Sequence, residues 1–210
     1  MYKLFFKRMI DIILSLVGIV VLGIPMLIVA LIIKISDPGP ALFTQKRVGL
    51  HKKYFKLYKF RSMKLNTPDV PTHLLENPDQ YMISIGKAIR KLSIDELPQL
   101  FNILKGDMSI IGPRPALWNQ DDLIAERDKY GANDVRPGLT GWAQINGRDE
   151  LAIDVKAKLD GEYVERLGFG FDCKCFFGTI TKVLKSEGVV EGGNRNAKNE
   201  EIQKNENVVK

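Results

Sequence analysis

The strongest pattern along the chain is a run without a single charge. From Ile12 to Ile33 it reads IILSLVGIVVLGIPMLIVALII, and these 22 residues would rise about 33 Å as a helix, enough for a bilayer's hydrocarbon core. The apolar stretch is too long for a signal peptide, and no small-x-small cleavage pattern follows it. Pro25 lies near its centre, where a missing donor and a ring clash predict a kink or break. Lys3, Lys7 and Arg8 precede the run; Lys34, Lys46 and Arg47 follow it. A spanning helix usually carries its basic bias on one side. Two basic flanks fit a re-entrant helix-break-helix with both ends on one membrane face, and a kinked spanning helix is the open alternative. Asp11, at the edge of the run, is expected at headgroup depth beside Lys7 or Arg8.

After SDPGP the pattern shortens. ALFTQKRVG and YFKLYKFRSM predict short strands or a hairpin, with Gly49 in the turn. NTPDVPTHLLENPDQ reads as a polar loop or lid. SIGKAIRKLS and LPQLFNILKG predict two helices separated near Ser93, with Leu97, Leu100, Phe101 and Leu104 towards a core and Gly106 as the stop. An amphipathic helix is expected over roughly Leu151 to Arg166. In LGFGFDCKCFFGTITKVLK, the rings of Phe169, Phe171, Phe176 and Phe177 suit either a membrane interface beside Lys174 and Lys182 or a core. The polar end of the chain predicts a disordered tail. The fold class is therefore α+β and mainly helical, with a re-entrant membrane segment at 1–36, a catalytic domain at 37–187 and a tail at 188–210.

Composition removes several classes of function. The net charge of +6 and pI near 9.2 allow an anionic partner, but no groove-reading nucleic-acid motif is present. Cys173 and Cys175 lie far in sequence from His51 and His73, so a zinc site is not expected, and reduced thiols are. Walker loop, G-x-G-x-x-G and nucleophile elbow are all missing.

What remains is an acidic pair and a set of cations. Asp95 and Glu96 stand at a helix start, where Ser93-x-x-Glu96 has capping-box spacing and Asp95 is an alternative N-cap. Helix-start chemistry and an active centre both fit them. Lys59, Arg61, Arg90, Arg114, Arg136 and Arg148 each lie in or beside an ordered-looking motif. Arginine between prolines, as in Pro113-Arg114-Pro115, offers a restrained planar fork for phosphate. Carboxylates with phosphates also suit Mg²⁺.

KFRSM, RKLSIDELPQLFNILKGDMSIIGPRP and VRPGLTGWAQINGR, in that order behind an apolar helix, resemble the bacterial sugar transferase family, the monotopic phosphoglycosyl transferases. The resemblance runs from about residue 3 to 187. It implies transfer of a phosphosugar from a UDP-sugar to polyprenyl phosphate, with release of UMP and use of Mg²⁺. It implies catalysis by Asp95 and Glu96, with Asp95 attacking, and the helix break at Pro25; Glu96 is then left to reach the metal or to orient the lipid phosphate. Phosphate and nucleotide binding would fall to Arg114, then Lys59, Arg90, Arg136 and Arg148. The expected setting is the cytoplasmic face of a bacterial inner membrane, in contact with lipids and without nucleic acid; the oligomeric state, a homodimer included, stays open. Ile24 stands before Pro25 where several relatives have serine. Direct glycosyl transfer, which would release UDP, and a non-enzymatic membrane adaptor are the rival readings.

Overall fold

A computed structural model of the chain describes residues 1–68, 75, 77–147 and 151–185. The apolar run forms one long helix, α1 (Lys7–Ser36), entered through a π-helical turn at Tyr2–Phe6. It passes through Pro25 without dividing into two helices. The helix is long and apolar enough to cross a membrane, yet its sides differ. Val20, Val21, Ile24, Leu27 and Ile35 are exposed; Asp11, Ser15, Met26 and Ile33 are buried. With the half-buried Ile19, Leu22, Val29 and Ala30, the buried positions recur at three- and four-residue steps and form one stripe.

That stripe lies against the rest of the protein along almost its whole length. Ile19 and Leu22 pack with Leu57, Leu100 and Ile103, while Met26 and Ile33 pack with Phe60, Ile83 and Ile89. Asp11 turns inward onto the domain. Its Oδ1 accepts from the Ser109 hydroxyl at 3.0 Å and the Ile110 amide at 2.9 Å. These donors replace water for a carboxylate that is buried. Lys7 and Tyr2 instead meet Asp172, at 2.7 and 2.6 Å. Arg8 donates to the carbonyls of Ile103 and Leu104, the favourable place for a cation at a helix C-terminus.

Strands β1 (Leu42–Val48) and β2 (Tyr54–Phe60) form the expected antiparallel hairpin, Leu42 opposite Phe60 and Val48 opposite Tyr54. Gly49 begins the turn. Helix α2 (Gly86–Lys91) precedes the left-handed Ser93, and α3 (Gln99–Lys105) ends at Gly106, whose φ of 101° is the left-handed stop the sequence predicts. On α3, Leu100 and Ile103 are buried while Phe101 faces outward. Asn102 docks the helix on β2: its amide donates to the Lys56 carbonyl at 2.8 Å and accepts from the Tyr58 amide at 2.9 Å. Asparagine is a poor helix former, but here it stands in for a neighbouring strand.

A second sheet pairs β3 (Ser109–Ile111) in parallel with β4 (Gly138–Thr140). The crossover contains α4 (Asp121–Asp128), an element the sequence reading does not predict because its stretch is charged and nearly aperiodic. It is held to α6 (Ile153–Arg166) by the buried ion pair of Arg127 with Asp160, at 2.5 Å. Between them comes α5 (Trp142–Ile145), and α7 (Phe169–Lys185) closes the described chain. On α7 the four rings divide: Phe171 is buried beside Tyr163 and Trp142, and Phe169, Phe176 and Phe177 are exposed. Both thiols are free. Of the expected lid, residues 69–74 and 76 lie outside the described residues, whereas Leu75 and Pro78 are packed inside. Arg148 and the tail from residue 186 also lie outside them.

Three glycines set how closely the chain leaving β3 approaches β4. A Cβ on Gly138 would stand 2.1 Å from the Gly112 nitrogen, and one on Gly141 2.1 Å from the Gly112 oxygen. The backbones use this closeness: Gly112 N donates to Thr140 O and Gly138 N to Pro113 O, both at 2.8 Å. Gly138→Ala should therefore cost roughly 1–3 kcal/mol or more, since backbone and not a flexible side chain must shift. A thermal melt checks this, and an unchanged midpoint would show that this close approach tolerates a methyl group.

Candidate active site

Asp95 and Glu96 occupy a 3-10 turn, Ile94–Glu96, between α2 and α3. Ser93 enters it at φ 55°, makes no side-chain cap, and α3 begins only at Gln99 after Pro98. Neither capping arrangement expected from the sequence is therefore formed. A left-handed serine is uncommon, and its effect is to redirect the chain so that both carboxylates face inward, 7% and 8% exposed.

Cations from separate elements meet the pair. Lys59 Nζ, near the end of β2, lies 2.9 Å from Glu96 Oε1 and 3.5 Å from Asp95 Oδ2. Arg114 approaches Glu96 as a fork, Nη2 to Oε1 at 2.6 Å and Nη1 to Oε2 at 3.5 Å. Arg90, in the last turn of α2, is close enough to act on Asp95 through its charge, and its Nη1 lies 3.5 Å from Met63 Sδ. Lys59, Arg90 and Arg114 are thus brought together with Asp95 and Glu96. Arg61 is not: its buried guanidinium donates to the Asp37 carboxylate at 2.5 Å and to the Asp37 carbonyl, tying the hairpin to the end of α1. Arg136 also stands apart, its Nε donating to the Gly106 carbonyl at 3.1 Å at the other end of α3.

The two carboxylates are held unequally. Glu96 shares short charge-assisted bonds with two cations, whereas Lys59 reaches Asp95 only at 3.5 Å. Burial pushes the Asp95 carboxyl above the usual carboxylate range; Lys59 pulls it down, the Glu96 charge pushes it up, and Arg90 and Arg114 pull it down again. Among the described residues three cations, Lys59, Arg90 and Arg114, act on the two carboxylates, a setting that suits an anionic ligand.

The profile described as "Bacterial sugar transferase" matches residues 2–186. The chain belongs to the bacterial sugar transferase family. This sugar transferase is 42% identical over 184 residues to "Uncharacterized sugar transferase EpsL" of Bacillus subtilis (strain 168), covering 87% of this chain and 89% of that one. It is 38% identical over 192 residues to the UDP-N-acetylgalactosamine-undecaprenyl-phosphate N-acetylgalactosaminephosphotransferase of Aeromonas hydrophila, covering 88% and 45%. Against the UDP-glucose:undecaprenyl-phosphate glucose-1-phosphate transferase of Escherichia coli (strain K12), the identity is 37% over 190 residues, covering 84% and 39%. The match thus spans less than half the length of the latter two relatives.

In the sugar transferase the acidic pair supplies hard oxygen donors beside a group of cations. That donor set fits Mg²⁺ shared with a substrate's phosphates. Among the described residues no group of three or more His, Cys, Asp or Glu side chains could hold a metal by itself. Sequence reasoning missed Asn102, which fixes β2, and with it Lys59, against α3. Its signal was a lone polar residue within LFNILKG.

The raised Asp95 pKa has a direct consequence for stability. Above the ordinary carboxylate range the folded state binds more protons than the unfolded chain, so ionising Asp95 at neutral pH costs stability. Asp95→Asn should therefore raise the melting temperature, the direction expected when a buried charge that is unfavourable at neutral pH is removed. A lower melting temperature would show that the Asp95 charge is favourable in the folded protein.

Proposed function

We propose that this sugar transferase moves a phosphosugar from a UDP-sugar to polyprenyl phosphate, releasing UMP, with Asp95 as covalent nucleophile. The observation that carries the reading is the unequal hold on two adjacent buried carboxylates: Glu96 is clamped by Lys59 and Arg114, and Asp95 is not. The named activities of the Aeromonas hydrophila and Escherichia coli relatives support the same substrate classes.

In the first step an Asp95 carboxylate oxygen attacks the sugar-bearing phosphorus. The bond from that phosphorus to the bridging oxygen breaks, and UMP leaves with the oxygen. An oxygen of polyprenyl phosphate then attacks the same phosphorus and expels the Asp95 carboxylate, giving a polyprenyl diphosphate sugar. Arg114, Lys59 and Arg90 hold the negative charge that gathers on the transferring group. Glu96 fixes the Arg114 and Lys59 head groups until substrate phosphate arrives. Glu96 would also hold Mg²⁺ together with the diphosphate, and the metal would supply further charge neutralisation there.

The lipid substrate calls for a site at a membrane surface. The exposed side of α1 suits lipid, while both halves of its buried stripe pack on the same domain, and basic residues flank it. This supports a re-entrant course bent at Pro25, with both ends and the domain on the cytoplasmic face of the inner membrane. The exposed rings of Phe169 and Phe177 beside Lys174 would add an interfacial anchor.

Incubation with UDP-sugar alone should release UMP in a single-turnover burst and add a phosphosugar mass to the peptide carrying Asp95; Asp95→Asn should remove both. UMP that appears only with polyprenyl phosphate, with no adduct to trap, would favour direct transfer.

Topology has its own test. Single cysteines at Lys3 and Ser36, in a Cys173→Ser, Cys175→Ala background, should label from the same side of sealed vesicles. Labelling from opposite sides would replace the re-entrant helix by a spanning one.

A further inference from the structure

Arg114 acts from a loop that is poor in anchoring groups. Neither Pro113 nor Pro115 has an N–H, so their carbonyls are the groups through which the backbone on either side of Arg114 can be fixed. Pro113 O is fixed by Gly138 N at 2.8 Å. Pro115 O is fixed by a side chain: Arg47 Nη1 donates to it at 3.0 Å. The same guanidinium is oriented from its own strand, Nη2 donating to Gln45 Oε1 at 2.7 Å. Beyond the loop the chain runs beside β1. Val48 N donates to Ala116 O at 3.0 Å, and Arg47 pairs in antiparallel fashion with Leu117.

Backbone freedom here is small to begin with. The prolines fix their own φ, and the residue before Pro115, Arg114 itself, is confined to extended conformations. Pinning both proline carbonyls removes most of what is left. The direction of the Arg114 fork, which meets Glu96 at 2.6 Å, is then set from two sides, by Gly138 on β4 and by Arg47 on β1.

We propose that Arg47 is a positioning residue for phosphosugar transfer: by holding the Pro115 carbonyl it aims Arg114 at Glu96 and at the incoming diphosphate. The proposal rests on the transfer reading above. It differs from a purely structural role in one respect, which is that the effect of Arg47 must pass through the Arg114 fork.

A double-mutant cycle of Arg47→Met and Arg114→Lys, on the full chain in membrane vesicles or detergent, reads that dependence. Arg47→Met is expected to lower kcat by about 10- to 100-fold, the range that misplacing a catalytic group by about an ångström produces. In the Arg114→Lys background, where the fork is already gone, the same change should cost less than about threefold. Arg47→Lys keeps the charge and a donor for the Pro115 carbonyl, and should recover part of the loss. It also replaces Arg47→Met in the cycle if that variant does not fold. Equal losses in both backgrounds, or an Arg47→Met enzyme with wild-type kcat, would overturn the proposal. UDP affinity measured on the same proteins gives the comparison without turnover. A wild-type chain that binds UDP yet makes no polyprenyl diphosphate sugar would end the transfer reading, while the affinity cycle would still decide the role of Arg47.

Discussion

Two neighbouring carboxylates withdrawn from water can persist only where cations accompany them, because an unpaired buried charge costs several kcal/mol. Asp95 and Glu96 impose that requirement on the whole domain. Lys59 arrives on a strand, Arg90 on a short helix and Arg114 on a proline-bounded loop, from three places well separated in sequence. Each carrier is itself fixed by something specific. Asn102 holds the strand to α3, the left-handed Ser93 turns the chain between α2 and the acidic pair, and close glycine contacts hold the loop. Even with these partners, burial leaves the Asp95 charge disfavoured, which is a cost to stability.

Helix α1 carries a second constraint, since its two sides ask for different surroundings. The exposed side is a row of branched aliphatic residues. The buried side holds Asp11 and Ser15 near its start and Met26 and Ile33 further on. Polar residues on that stripe are satisfied by the domain: Ser109 and Ile110 serve Asp11. Asp172 gathers Tyr2, Lys7 and Tyr163 and so binds the start of the chain to α6 and α7.

Much of this was legible in the sequence, where local pattern and local chemistry agree. The apolar run, the hairpin with Gly49, the stop at Gly106 and the amphipathic α6 all depend on neighbouring residues. So does the separation of two helices near Ser93, although the capping expected there does not form. Features set by distant partners were not legible. Helix α4 owes its place to Arg127 meeting Asp160 across 33 positions. The inward turn of Asp11 depends on β3, nearly a hundred residues on. Among the cations, charge and motif alone did not separate Arg61, spent on Asp37, from Lys59, which reaches the acidic pair. That distinction lies in tertiary geometry.

The buried stripe of α1 also bears on how the molecule is assembled. Ile19, Leu22, Met26 and Ile33 are members of the same apolar clusters as Leu57, Phe60, Ile89 and Ile103. The helix is therefore a wall of the domain's interior as well as a long apolar face turned outward. Its buried stripe is a surface on which strands and helices of the domain pack. A protein cut after α1 would therefore be left with opened apolar clusters around Leu57 and Phe60.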